Sequence, residues 1–301
     1  MSSKEVHAIL DIIKRCCTEI SELIRGGDSD NNSKEMHLTN ATGDEQLKLD
    51  LVSNSILLEN LSECKHIKTI GSEELETFIE TGNEYGEYLV CFDPLDGSSN
   101  INVNITVGTI FAIYKYSNGT LGSGRNIVMA GYCLYGGSTQ LIVSDVFSNA
   151  TNMYTLRGSG HFVLTEPNIR IPDKGKIYAI NESNRYRYLD KRLNAFVEWL
   201  IRENRTARWV GSLVADAHRT LMKGGFFAYP GNIDHPCGKL RLLYEVYPFA
   251  FIFEMSGGKT SDGISSSLLD LTFPVDDIHQ KTSCYLSSVY EMDLLDKIIV
   301  Q

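Results

Sequence analysis

The chain has 301 residues, with 28 Lys and Arg against 38 Asp and Glu, a formal charge of −10 and a pI near 5.2. An acid excess of that size argues against a nucleic-acid-binding or polybasic membrane protein, so neither nucleic acid nor membrane is an expected partner. At 43% hydrophobic and 22% charged residues the composition is globular, and the length suits one large domain or two fused halves.

Apolar positions Val6, Ile9, Leu10, Ile13, Cys17, Ile20 and Ile24 recur at helical spacing and predict an amphipathic helix over 5–25, ended by Gly26 and Gly27. A polar loop over 26–42 follows, then a second helix predicted over about 44–62 from Leu47, Leu51, Ile56 and Leu58. Short apolar runs predict strands over 68–71, 88–92, 101–107, 109–114, 128–132 and 140–143. The polar stretch 167–176 holds two prolines and marks a seam, so an N-terminal half over 1–168 and a C-terminal half over 169–301 are expected. Beyond it the order becomes strand 177–179, helix 191–202, strand 207–210, helix 213–221, strand 226–228 and helix 239–255, an alternation that predicts α/β layering. There is no apolar run of roughly 18 residues, and Met1 to His7 lack the basic start and apolar stretch of a signal peptide, so a cytoplasmic location is expected. The seven cysteines show no C-x-x-C spacing and read as reduced, buried thiols.

The segment Asp93-Pro94-Leu95-Asp96-Gly97-Ser98-Ser99 carries the most chemistry. Proline pushes its preceding residue to extended geometry, so Asp93 is expected to end a strand and Asp96 to project from a turn. Two carboxylates at such a tip suit a hard divalent cation, with the Leu95 carbonyl as a third oxygen. The Gly-Ser-Ser that follows offers N–H groups and hydroxyls to a phosphate. Read blandly, the same residues are an Asp-Pro and Asp-Gly double turn. Glu73 and Glu74 follow another strand, where one could bind metal and the other accept a proton from water, unless they belong to a solvated acidic run with Glu76 and Glu80. Arg241 and Glu245 sit at i, i+4 on the predicted helix 239–255, either as a surface pair or as a phosphate cation, with Lys239, beside a metal ligand. His218, alone on a predicted helix, reads as a structural hydrogen-bonding residue.

Taken together, Gly43-Asp44-Glu45-Gln46, Gly71-Ser72-Glu73-Glu74, Asp93 to Asn100, Gly108-Thr109-Ile110-Phe111 and Lys239 to Glu245 resemble the class I fructose-1,6-bisphosphatases and their sedoheptulose-1,7-bisphosphatase relatives. The resemblance implies a five-layered α-β-α-β-α sugar phosphatase fold, built from two α/β halves, and Mg²⁺ dependence with Mn²⁺ as the alternative ion. It places metal ligands at Glu73, Glu74, Asp93, Asp96 and Glu245 and at the carbonyl of Leu95. Asp50 and Glu74 match the pair that polarises the attacking water, with Asp44 as an assisting acid. Asp96, Gly97, Ser98, Ser99 and Arg241 fall where the 1-phosphate side of the substrate is held. Asn181, Tyr229 and Lys239 fall where sugar and distal phosphate are held, and Arg208 matches an arginine reaching in from a neighbouring subunit, which implies a homo-oligomer, dimer or tetramer.

Two departures qualify the match. The chain starts beyond the arm that binds AMP in vertebrate-type members, and Glu87-Tyr88 stands where the family has Lys-Tyr, so AMP inhibition is not expected. Asn184 and Trp209 replace tyrosines of the distal phosphate pocket and remove two phenolic donors. The expected substrate is a ketose bisphosphate, fructose 1,6-bisphosphate first and sedoheptulose 1,7-bisphosphate as the alternative. A non-catalytic metabolite-binding protein on the same scaffold is a third reading.

Overall fold

The structure, a computed structural model, describes residues 3–26, 38–39, 45–46, 48–116, 121–273 and 277–298. The first half runs α1 (Ser3–Gly26), β1 (Leu38–Thr39), β2 (Glu45–Gln46), α2 (Lys48–Ser62), β3 (Ile67–Ser72), β4 (Ile79–Glu80) and β5 (Tyr88–Asp96). It continues with β6 (Val107–Lys115), β7 (Ile127–Tyr135), β8 (Thr139–Asp145), β9 (Ala150–Leu156) and β10 (Phe162–Glu166). The second half begins β11 (Ile177–Ala179), α3 (Arg192–Arg202), β12 (Thr206–Ala207), α4 (Leu213–Lys223) and β13 (Gly225–Tyr229). It ends β14 (Leu240–Arg241), α5 (Tyr247–Met255), β15 (Lys259–Ser261), β16 (Lys281–Thr282), β17 (Cys284–Ser287) and α6 (Val289–Asp296).

An eight-stranded sheet, in the order β10-β9-β8-β7-β6-β5-β3-β4, and a five-stranded sheet, β12-β11-β13-β17-β15, are sandwiched among three layers of helix. Side chains alternate across a strand, so a strand covered on both faces needs apolar residues at every position. Along β5, Tyr88, Val90 and Phe92 pack toward α1 and α2, whereas Leu89 and Cys91 pack toward α4 and α5. In β13, Phe227 faces the same middle helices while Phe226 and Ala228 face α3 and α6. Three cores, the middle one enclosing both faces of α4 and α5, therefore join five layers in the sequence α-β-α-β-α, the layered α/β fold expected above.

Several predicted elements change in detail. The helix predicted over 44–62 begins only at Lys48, and Glu45–Gln46 instead pairs with Leu38–Thr39. The strand predicted over 101–107 is replaced by a 3-10 turn, Ser98–Val103, bounded by left-handed Gly97 (φ 75°) and Asn104 (φ 56°), which an extended chain cannot contain. Asp93 does not end its strand. β5 continues through Pro94 to Asp96, and the register against β6 slips between Asp93 and Asp96 in a bulge, the one place inside a paired strand where a proline is tolerated. The helix predicted over 239–255 divides into β14, a single π-helical turn (Leu242–Val246) and α5. Residues 240–241 are claimed by antiparallel pairing with 281–282, a partner that local periodicity does not reveal. Of the strand predicted over 207–210 only Thr206–Ala207 forms, and β9, β10, β15 and β17 are additions.

His218 lies on α4 against β7. Its Nδ1 is 3.0 Å from the Tyr132 hydroxyl, and the two rings meet edge to face at 5.9 Å. Burial, then the nearby Arg219 charge, pushes its pKa down to about 4 from the usual 6.5. The unfolded chain thus binds this proton more readily than the folded one, so stability is fully present above about pH 6.5 and is lost as pH falls toward about 4. Between about pH 7 and about pH 5 the loss should be about 2 kcal/mol. Urea titrations at the two values should show a smaller difference in His218→Asn than in the unmodified chain.

Candidate active site

The bulge in β5 is where the chemistry concentrates. Extended geometry at Asp93 and the slip around Pro94 leave both Asp93 and Asp96 buried at the strand end. The Leu95 N–H donates to Asp93 Oδ1 at 2.9 Å, closing a tight Asx turn, and Leu95 itself is buried between the two carboxylates. Asp96 Oδ2 accepts from Ser212 Oγ at 3.1 Å and from the Val214 N–H at 2.9 Å. Asp96 therefore caps the first turn of α4 from 116 residues away, and the N–H groups of that turn hold it in place. Left-handed Gly97 follows, and a Cβ there would fall 2.9 Å from Ser212 Oγ. The close approach of β5 to α4 requires glycine at this position.

Glu245 arrives from the π-helical turn. Its Oε2 accepts the Arg241 N–H at 2.6 Å, and one oxygen each of Asp93, Asp96 and Glu245 lie within 4.8 Å of one another. Glu73 joins them, sharing a hydrogen bond with Asp93 while its Oε1 meets Arg241 Nη1 at 3.0 Å. Arg241 Nη1 also stands 3.8 Å from Glu245, so this guanidinium lies between two of the carboxylates. The i, i+4 pairing of Arg241 with Glu245 exists, but Arg241 belongs to a strand pair ahead of the helix and is mostly buried, which corrects the reading as a helix-surface pair.

Such crowding is expensive without a cation. Burial, then Glu73, Asp96 and Glu245, pushes the Asp93 pKa well above the usual carboxylate range. Burial outweighs the N–H donors of α4 and raises Asp96 to about 7, and it raises Glu245 to about 8 despite Arg241. The donor set is all oxygen and all anionic, which fits a hard divalent ion and not a thiophilic one.

Glu74 sits on the same turn as Glu73, its N–H directed to Ser72 Oγ at 3.3 Å. Ser72 Oγ in turn donates to Asn54 Oδ1 at 2.7 Å. Asp50, buried, precedes Asn54 by one turn of α2. Asp44 lies outside the described residues. Ser98 and Ser99 open the 3-10 turn after Gly97, with Ser99 exposed.

Asn181 and Tyr229 line a shallow cleft together with Asn184, Tyr188, Trp209 and Asn232. The Tyr229 phenol is raised by burial and feels both Glu245 and Arg241, so the cleft borders the carboxylates. Asn181 Oδ1 accepts from the Ser183 N–H at 3.2 Å, and Trp209 stacks on Phe227 at 6.4 Å with the rings 16° apart. Asp216 accepts the Val210 and Gly211 N–H groups at 2.9–3.0 Å and thus orients the chain just after Arg208 and Trp209. Arg208 and Lys239 are exposed.

The family model described as "Fructose-1-6-bisphosphatase, N-terminal domain" matches residues 1–167, and its C-terminal counterpart matches 171–300. The chain belongs to the fructose-1,6-bisphosphatase family. It is 44% identical over 267 residues to the class 1 fructose-1,6-bisphosphatase of Sulfurihydrogenibium sp., spanning 86% of this chain and 81% of that one. To a class 1 fructose-1,6-bisphosphatase of Pseudoalteromonas translucida it is 38% identical over 309 residues, with 98% and 94% coverage. The holo form of the Leishmania major fructose-1,6-bisphosphatase superposes with a TM-score of 0.91 at 34% identity, covering 98% and 94% of the two chains. As a member of that family the chain is a hydrolase of the phosphatase class, and a divalent metal requirement agrees with its carboxylate cluster.

Sequence reasoning missed Ser212, Val214 and Asn54, which hold Asp96 and the Glu74 turn. Ser212 does carry a local signal, a serine just ahead of an amphipathic helix, but that signal names a helix start and not the distant carboxylate that completes it.

Proposed function

We propose that this chain hydrolyses the C1 phosphate ester of fructose 1,6-bisphosphate at the Asp93, Asp96 and Glu245 cluster. The carrying observation is that convergence, three buried carboxylates from two halves of the chain with Glu73 and Arg241 against them. The ligands are Glu73, Glu74, Asp93, Asp96, Glu245 and the Leu95 carbonyl, and the ion is Mg²⁺, with Mn²⁺ as the alternative. When bound, the ion gathers phosphate oxygens and lowers the pKa of a water. Asp50 and Glu74, with Asp44, accept the proton of the attacking water as it lines up opposite the leaving sugar oxygen. The N–H groups and hydroxyls of Gly97, Ser98 and Ser99, with Arg241, orient the phosphate. Asn181, Tyr229 and Lys239 hold the sugar and its distal phosphate.

Residues 1–168 thereby supply most of the metal and phosphate machinery, and 169–301 the sugar side. Arg208, exposed beside the cleft wall, reaches into a neighbouring subunit of a homo-oligomer, a dimer or tetramer. Cytoplasmic location is part of the same proposal: all seven cysteines are free thiols, six of them buried. No helix among the described residues is long and apolar enough to cross a membrane. Asn184 and Trp209, both lining the cleft, support a second reading in which a seven-carbon bisphosphate is also accepted.

Phosphate release from the two bisphosphates, measured in parallel, tests both. Release from fructose 1,6-bisphosphate should vanish with chelator and return with Mg²⁺. No release from either compound at millimolar Mg²⁺ would overturn the proposal.

A further inference from the structure

The turn carrying Glu73 and Glu74 and the segment carrying Glu245 come from opposite ends of the chain, so some contact must set the spacing between them. The segment 277–280 is well placed to do so. The His279 N–H donates to Asp277 Oδ1 at 3.0 Å, Ile278 is buried in the middle core, and the Leu242 N–H donates to the Gln280 carbonyl at 2.7 Å. This segment is thus fixed to the strand ahead of Glu245 before its imidazole makes any contact.

The His279 imidazole then uses both nitrogens. Nε2 lies 2.8 Å from the carbonyl oxygen of Leu75, the residue after Glu74, and Nδ1 lies 2.7 Å from the hydroxyl of Tyr244, the residue before Glu245. A carbonyl only accepts, so Nε2 carries the proton, and Nδ1 of the neutral ring accepts from the Tyr244 O–H. Burial favours that neutral ring by lowering its pKa. Tyr244 is fully buried and meets the imidazole edge to face at 6.0 Å. On its own side the turn is held by the Glu73 N–H to the Phe92 carbonyl at 3.2 Å, the Leu75 N–H to the Ser72 carbonyl at 3.2 Å and the Glu74 N–H to Ser72 Oγ at 3.3 Å, all toward β3 and β5, while Glu76 and Thr77 just beyond are exposed.

We propose that His279 is a positioning residue for the carboxylate cluster, its imidazole bridging Leu75 and Tyr244 and so setting the distance between the Glu73 and Glu74 turn and Glu245. The inference rests on the reading of these carboxylates as cation ligands. Partners that orient metal ligands typically change affinity about 10–100-fold when removed.

The test is calorimetric titration of the metal-free protein with Mn²⁺ in the absence of substrate, beside melting in chelator. His279→Ala should bind Mn²⁺ about 10-fold more weakly, and its Mg²⁺ requirement in phosphate release should rise in parallel. His279→Gln, whose amide reaches the place of Nε2 and keeps the Leu75 bond, should recover most of the affinity. A lower melting temperature with Mn²⁺ affinity within about twofold of the unmodified chain would make His279 merely structural and overturn the proposal. If His279→Ala does not fold, Tyr244→Phe keeps the ring and breaks the bridge: weaker Mn²⁺ binding supports the proposal and unchanged binding overturns it. Failure of the unmodified protein to take up Mn²⁺ would overturn the site itself, and the bridge with it, and is read without any variant.

Discussion

The substitution Asp93→Asn is expected to reduce phosphate release by a factor of at least about 10³, because it removes the carboxylate at the centre of the cluster and with it several kcal/mol of transition-state charge stabilisation. Asp93 is 2% exposed, shares a hydrogen bond with Glu73, and lies with Asp96 and Glu245 inside a 4.8 Å group. The same variant should behave in the opposite sense toward stability. In the metal-free protein Asp93, Asp96 and Glu245 all have pKa values above their ordinary 3.8–4.5, the last two at about 7 and about 8. Folding then takes up protons, so stability is greatest below the unfolded values and is lost as pH rises through about 7 and about 8. An amide in place of this carboxylate carries no charge to repel its neighbours. In chelator at about pH 8, Asp93→Asn should therefore melt at a higher temperature than the unmodified chain. Adding Mg²⁺ should reverse the order, since only the unmodified chain gains from it. Equal melting of the two proteins in chelator at that pH would show that the carboxylates do not repel one another as the geometry requires.

Alanine at Arg241 should lower kcat/KM for the bisphosphate about 10²–10³-fold, mainly through KM, which corresponds to about 3–4 kcal/mol. Arg241 Nη1 contacts Glu73 at 3.0 Å and stands 3.8 Å from Glu245, while its backbone N–H holds Glu245 at 2.6 Å. The backbone bond survives the substitution, so Glu245 keeps its anchor. What disappears is the guanidinium, which offers a planar fork to phosphate and a countercharge to two carboxylates; Arg241→Lys should recover only a small part of the loss. Removal of a positive charge next to a cation site should leave Mg²⁺ affinity unchanged or tighter. An unaltered KM with weakened Mg²⁺ binding would assign Arg241 to the metal side and not to the phosphate.

Local signals carried a good part of this architecture. Helical spacing located α1 and α3 nearly to the residue, and the continuous apolar runs at 88–92 and 109–114 located the strands that are covered on both faces. Failures occurred where a partner distant in sequence overrode local preference. Residues 240–241 look helical until 281–282 pair with them, and Asp93 looks like a strand end until β6 accepts a bulge around Pro94. The short edge strand β4 buries little, so hydrophobic pattern had nothing to report there.

The chemistry divides along the same line. Sequence alone determined the identity of the acids, the Asp-Pro-Leu-Asp-Gly-Ser-Ser segment, the pairing of Arg241 with Glu245 and an excess of negative charge, because residue type and near-neighbour spacing are local facts. Only the tertiary structure decided that Asp93, Asp96 and Glu245 share one buried point, that α4 presents its first N–H groups to Asp96, and that Asn54 of α2 holds Ser72 just ahead of the Glu73 and Glu74 turn. The physical reason is that packing five layers in register costs far more to violate than any single turn, so the layers fix where each carboxylate ends up. A burial that raises carboxylate pKa values toward neutrality belongs to that packing and is carried by no residue on its own.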